Sequence, residues 1–198
     1  MTDHRTLAVV SAGLSEPSST RLLADRLAGA AAAALPGETG IVTVELRDHA
    51  HDLASNLVTG FAPAALRGAV EAVTGADGLI AVTPIFNASY SGLFKTFFDV
   101  LDKDALEARP VLLGATGGTA RHSLALDFAV RPLFAYLRAR PVPTAVYAAS
   151  EDWASPGLLT ERIAAAGGEL AAAVADRPPV TREDPYADPT PFEELLAG

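Results

Sequence analysis

Short apolar runs, each about one strand long, alternate along this chain with longer stretches of amphipathic or Ala-rich character. The runs are Thr6–Ala12 (TLAVVSA), Ile41–Leu46 (IVTVEL), Gly78–Thr83 (GLIAVT), Pro110–Ala115 (PVLLGA) and Val142–Ala149. Continuous apolar character over so few residues reads as a strand buried on both faces. Between and after them, Thr20–Leu35, Pro63–Thr74, Ser89–Leu101, Arg121–Arg138 and Ser155–Asp176 read as helices. Pro36-Gly37 stops the first, Pro63 suits the first turn of the second, and Pro132 must bend or split the fourth. Residues 47–62 are polar and read as irregular. From Arg177 onward the chain carries Pro178, Pro179, Pro185, Pro189 and Pro191, which predicts a domain over 1–177 and an extended Pro-rich arm over 178–198.

Five strands alternating with five helices predict an α/β, three-layer fold: a parallel sheet with helices on both faces. Five strands fit the flavodoxin-like order 2-1-3-4-5. In such a sheet, ligands bind outside the carboxyl ends of the strands, near the point where the order reverses. That singles out the loops after the first, third and fourth strands.

Composition narrows the chemistry. The 198 residues are 49% hydrophobic and 20% charged, enough apolar material for a full core in one domain. The formal net charge of -9 comes without any Lys/Arg cluster, which argues against a nucleic-acid partner. There are no cysteines, so thiol nucleophiles, zinc thiolates and cysteine-held iron–sulfur clusters are excluded. Redox chemistry here would have to be carried by a bound or passing cofactor. No apolar run approaches the roughly 20 residues of a membrane span, and the N-terminus has no signal-peptide pattern, so a cytoplasmic protein is expected.

The first loop runs Ser11-Ala12-Gly13-Leu14-Ser15-Glu16-Pro17 and ends in Ser18, Ser19 and Thr20 at the start of a helix. Free N–H groups, small hydroxyls and the helix dipole suit an anion such as a terminal phosphate; a ligand-free Ser cap is the competing reading. Arg21, in the first turn, opposes the dipole unless something negative lies nearby. Neither a P-loop nor a G-x-G-x-x-G turn is present. The second loop, Thr83-Pro84-Ile85-Phe86-Asn87, puts apolar side chains where the chain should surface, as a flat heteroaromatic ring would require. In the third, Thr116-Gly117-Gly118-Thr119, two glycines allow close backbone approach to a ligand, or simply make a turn.

The first loop, TPIFNASYSGLFKTFFDVL (Thr83–Leu101) and ATGGTARHSLALDFAVRPL (Ala115–Leu133) together resemble the NAD(P)H-dependent FMN reductases. They are most similar to the subgroup that supplies reduced FMN to luciferase-like flavin monooxygenases, such as those of alkanesulfonate metabolism. The resemblance covers roughly residues 6–152. It implies hydride transfer from NADPH or NADH to FMN, a homodimer or homotetramer, and a partner monooxygenase. Carried over by position, Ser11, Ser18, Ser19 and Thr20 hold the FMN phosphate. Pro84, Ile85, Phe86 and Asn87 line the ring, and Thr116, Gly117 and Gly118 meet its pyrimidine side. His122 matches a subgroup histidine, and Tyr90 a tyrosine of an oligomer-forming helix. Many relatives carry an Arg where this chain has Ser15, which weakens the expected grip on phosphate or leaves Arg21 to help. Weak binding would suit an enzyme that releases FMN as a product. The cofactors own the hydride chemistry, so no catalytic side chain is assigned.

The remaining features have plainer readings. Lys95 and Asp99 are spaced as a solvated helix pair. Asp48-His49-Ala50-His51-Asp52 lacks helix spacing and a third ligand, and reads as a mobile surface loop with no metal site. Trp153 is expected to pack rather than to sandwich a ring. Phe86, Tyr90, Phe94, Phe97 and Phe98 crowd one helix and its entry, which predicts that this helix is covered by another subunit. An FMN-retaining quinone or azo reductase, a flavodoxin-like electron carrier and a flavin-free binding module stand as alternatives.

Overall fold

A computed structural model describes residues 4–155 and 157–180. The chain runs β1 (Arg5–Ser11), α1 (Ser19–Ala34), β2 (Thr39–Glu45), a 3-10 turn (Leu46–His49), α2 (Ala50–Thr59), α3 (Ala64–Thr74) and β3 (Gly78–Phe86). Then come β4 (Ser89–Tyr90), α4 (Gly92–Asp99), β5 (Pro110–Gly117), a 3-10 turn (Ala120–His122) and a π-helical segment (Leu126–Val130). The order closes with α5 (Arg131–Tyr136), β6 (Arg140–Pro141), β7 (Val146–Ala149), a 3-10 turn (Ser150–Trp153) and α6 (Gly157–Ala175).

The sheet order is β2-β1-β3-β5-β6, with every neighbour on that path parallel, and β7 also pairs with β5 in parallel. This is the expected 2-1-3-4-5 arrangement with its fifth strand broken in two. The sheet therefore has seven strands rather than five, because β4 adds a short antiparallel return on β3. The break has a local cause. Pro110 and Val111 pair with Arg140 and Pro141, yet Gly114 pairs with Val146, so the outer strand carries two extra residues. Pro143 lies in that excess and has no N–H to give the ladder.

β1, β3 and β5 are buried along nearly their whole length, but β2, expected to be buried on both faces, is an edge strand in which Val44 is buried and Ile41 and Val42 are exposed. Leu7, Val9, Ile80, Val82 and Leu112 face α1 and α6; Ala8, Val10, Leu79, Ala81 and Leu113 face the other helical layer. Phe94, Phe97 and Phe98 of α4 pack with Phe134 of α5, with ring centroids 4.8 Å apart in the Phe94–Phe98 and Phe98–Phe134 pairs. All four are essentially solvent-free, each worth about 1.5–3 kcal/mol by burial. The aromatic excess of α4 is thus absorbed by the chain's own core and does not by itself call for a second subunit.

Four further expectations change. Residues 50–59 form α2, and His51 and Asp52 lie in that helix rather than in a mobile loop. Polar residues lower its intrinsic propensity, but Leu53 is fully buried and Gly60, at φ +75°, closes its end. Pro63 caps α3 instead of occupying its first turn. The Arg121–Arg138 stretch is not one helix but a 3-10 turn, a π segment and α5, with Pro132 placed at the start of α5. The helix expected from Ser89 begins at Gly92, capped by the Ser91 hydroxyl, which accepts from Phe94 N at 3.2 Å. Tyr90 therefore belongs to β4, paired with Ile85, not to a helix. Of the Pro-rich arm, only residues 178–180 are described; the rest lies outside the described residues.

Candidate active site

The carboxyl ends of β1, β3 and β5 open onto one cavity of about 420 Å³. It is lined by Gly13, Leu14, Ser15, Ser18, Ser19 and Thr20 from the first loop, Pro84, Ile85 and Phe86 from the second, and Thr116, Gly117, Gly118 and Ser150 from the far side. None of these residues carries a charge.

Each wall is held by identifiable bonds. Ser18 caps α1, its Oγ accepting from Arg21 N at 3.2 Å. By helix geometry the N–H groups of Ser19 and Thr20 have no carbonyl within α1 to meet, and both residues line the cavity. Gly13 makes room for this cap, since a methyl there would lie 2.1 Å from Ser18 Oγ. The hydroxyls of Thr20 and Thr116 are hydrogen-bonded at 2.8 Å in a buried position, tying the first loop to the third.

The second loop is a hairpin. Asn87 and Ala88, at φ 47° and 66°, make the two-residue turn that returns β3 into β4. Thr83 Oγ1 accepts from Ser91 N at 3.0 Å and donates to Pro84 O at 2.9 Å, fixing the base of that hairpin. Ile85 packs on the core, whereas Phe86 remains 45% exposed on the cavity's edge. In the third loop, a methyl at Gly117 would fall 2.0 Å from Tyr147 Oη, so a larger residue would have to displace the phenol. Tyr147 Oη donates to Thr119 O at 2.9 Å. Burial, helped by the negative charge of Asp152, raises the Tyr147 phenol above its ordinary range and keeps it a neutral donor.

Nine of the twelve residues singled out in the sequence line this cavity: Ser18, Ser19, Thr20, Pro84, Ile85, Phe86, Thr116, Gly117 and Gly118. Ser11 lies below it, fully buried, and its Oγ has no hydrogen-bond partner among the described residues. Asn87 turns the hairpin and His122 sits exposed on the next 3-10 turn; neither lines the cavity. Gly13, Leu14, Ser15 and Ser150 were missed. Gly13 had a signal, a glycine at a strand-to-helix turn. Ser150 had none, because only the return of β7 beside β5 brings it there.

Charge is held just outside the cavity. Arg21 is engaged by Asp25 at 2.7 Å and by Glu45, and these two bonds raise its pKa. The negative partners that its place in the first turn demanded are therefore supplied by the protein. Trp153 packs on the α1–α6 side, with the Arg26 guanidinium 5.2 Å from its ring centre. Lys95 and Asp99 form the expected exposed pair. Among the described residues no group of three or more His, Asp or Glu is placed to hold a metal, and no helix is long and apolar enough to cross a membrane.

Sequence and structure comparisons point one way. The family described as NADPH-dependent FMN reductase matches residues 5–154. The chain is 38% identical over 165 residues to an FMN reductase (NADPH) of Pseudomonas aeruginosa, spanning 83% of this chain and 88% of that protein. It is 39% identical over 159 residues to the NADH-dependent FMN reductase SfnF of Pseudomonas fluorescens, spanning 80% of this chain and 84% of the relative. A solved oxidoreductase from Corynebacterium diphtheriae superposes with a TM-score of 0.86 at 47% identity, over 88% of this chain and 99% of that one.

Proposed function

The chain belongs to the family of NADPH-dependent FMN reductases, and from that premise we propose that it moves hydride from a nicotinamide cofactor to FMN at the cavity between the β1, β3 and β5 ends. What carries this reading is the cavity itself: uncharged, edged by exposed Phe86 and bounded by the start of α1, with a fully buried, unpartnered Ser11 hydroxyl outside its lining.

The residues present fit FMN in three parts. Ser18, Ser19 and Thr20, with Ser11 beneath, offer neutral donors to the phosphate. Pro84, Ile85 and Phe86 give an apolar wall to the ring, with Asn87 holding the hairpin in shape. The backbone of Thr116, Gly117 and Gly118 meets the polar edge of the ring, and the absence of a side chain at Gly117 leaves Tyr147 Oη its place behind that backbone. FMN, when bound, supplies the hydride-accepting chemistry, and the reduced nicotinamide supplies the hydride. The chain's task is to hold the two rings in contact and to keep water from between them. No side chain is assigned as an acid or base, and His122 is proposed to border the nicotinamide side.

The uncharged wall at the phosphate end supports FMN as a substrate that is released, in keeping with supply of reduced FMN to a partner flavin monooxygenase in the cytoplasm. We further propose a homodimer or homotetramer. Exposed Leu124 in the turn before the π segment, Phe128 within it and Tyr136 at the end of α5 support it; elution as a monomer from gel filtration at micromolar concentration would refute it. The decisive measurement is steady-state oxidation of NADPH and of NADH with and without free FMN, with a quinone control. A rate that saturates with added FMN is expected. A yellow protein that ignores added FMN and reduces the quinone would replace this reading with that of a flavin-retaining quinone reductase.

A further inference from the structure

The first loop has no cation of its own, yet two guanidinium groups stand beside it. Arg21 is committed, gripped by Asp25 and Glu45. Arg47 is in a different position. It follows β2, the neighbour of β1, so the end of β2 delivers it directly behind the loop. Its Nη1 donates to Ser15 O at 3.3 Å, and Ser15 lines the cavity. Its Nη2 lies 3.3 Å from a carboxylate oxygen of Glu16, a side chain that is 81% exposed. Glu45 and Asp48 stand 3.7 Å from its Nε, which is shielded from solvent and makes no hydrogen bond.

An ion pair with so exposed a carboxylate is screened by water and readily exchanged. A phosphate dianion held by the N–H groups at the start of α1 is the stronger partner, because a guanidinium bonds it with two charge-assisted hydrogen bonds. We propose that Arg47 is the residue by which this chain distinguishes FMN from unphosphorylated riboflavin, its guanidinium exchanging Glu16 for the flavin phosphate. This rests on reading the cavity as a flavin site. The cation thus comes from the end of the second strand and not from the loop, where Ser15 stands. Glu16 competes with the phosphate for the same group, which tempers affinity and lets FMN leave.

Fluorescence titration of oxidised FMN and of riboflavin tests this with the wild type, Arg47→Ala, Arg47→Lys and Glu16→Gln. The wild type should prefer FMN. Arg47→Ala should raise the FMN Kd about tenfold and leave riboflavin unchanged, and Arg47→Lys should recover part of the loss. Glu16→Gln should tighten FMN by about threefold, again without effect on riboflavin. An Arg47→Ala that weakens both flavins equally, or neither, overturns the proposal while leaving the flavin site standing. An unchanged FMN Kd in Glu16→Gln overturns it even if Arg47→Ala fails to fold. Failure of the wild type to bind either flavin removes the flavin reading and this inference with it.

Discussion

The two ends of the central sheet are finished in opposite ways. At the amino ends of the strands, Arg5, Asp77 and Arg109 are buried charges joined to their surroundings by hydrogen bonds and an ion pair, although Arg109 Nε and Nη1 have no hydrogen-bond partner among the described residues. Asp77 accepts from Thr6 N and from Val180 N, both at 2.8 Å, and lies 3.7 Å from Arg5. Arg109 donates to Thr74 O at 2.7 Å, and burial is the main cause that lowers its pKa. At the carboxyl ends there is no charge in the cavity wall, a buried hydroxyl goes unpaired and glycine stands where other residues would collide. One end is closed by interactions that a ligand could only disturb. The other has an uncharged wall, room for a ligand and one hydroxyl short of a partner. A parallel sheet places both ends in one rigid body, so the closed end can stabilise what the open end leaves unmet.

This contrast can be broken by mutation. The largest effect belongs to the closed end: Asp77→Ala should cost about 3–5 kcal/mol in urea unfolding, because it leaves buried donors and cations without their carboxylate. A loss below about 1 kcal/mol would show that the closed end is not held by its charges. At the open end, Gly117→Ala should cost about 1–3 kcal/mol, since its methyl meets Tyr147 Oη. Tyr147→Phe removes that oxygen, so the double variant should recover about 1 kcal/mol relative to additivity. Strict additivity would mean the glycine answers to something else.

Thr20→Val should cost about 1 kcal/mol by cutting the hydroxyl bridge to Thr116, with a matching loss in FMN affinity measured by titration. The smallest effect sharpens the contrast most. Ser11→Ala removes a hydroxyl that has no partner, so thermal unfolding without ligand should shift by no more than the equivalent of about 0.5 kcal/mol. The same variant should weaken FMN. A clear destabilisation of the ligand-free protein would show that the open end is not short of partners after all.

Much of this was legible in the chain. Continuous apolar runs such as GLIAVT can be satisfied only by burial on both faces, and their alternation with helices leaves few arrangements. Ser18 at a strand-to-helix turn and Phe86 just past a strand end were visible because each is out of place for a bland loop. The failures share a cause. Helix α2 depends on Leu53 finding a core, the breaking of the fifth strand depends on register against β5, and the hairpin at Asn87-Ala88 puts an alanine at positive φ that no propensity would suggest. Local pattern does not contain a partner's position.

The sequence alone therefore determined the layers, the strand order and the rim on which the chemistry should lie, because strand burial and loop composition are local properties repeated along the chain. Only the tertiary structure decided how the rim is completed. It brought Ser150 and Tyr147 across from β7, joined Thr20 to Thr116, and turned Arg21 away toward Asp25 and Glu45. It also carried Arg47 to the back of a loop 32 residues earlier in the chain. Those contacts link residues far apart in sequence, and their geometry exists only once the sheet has set the register between neighbouring strands.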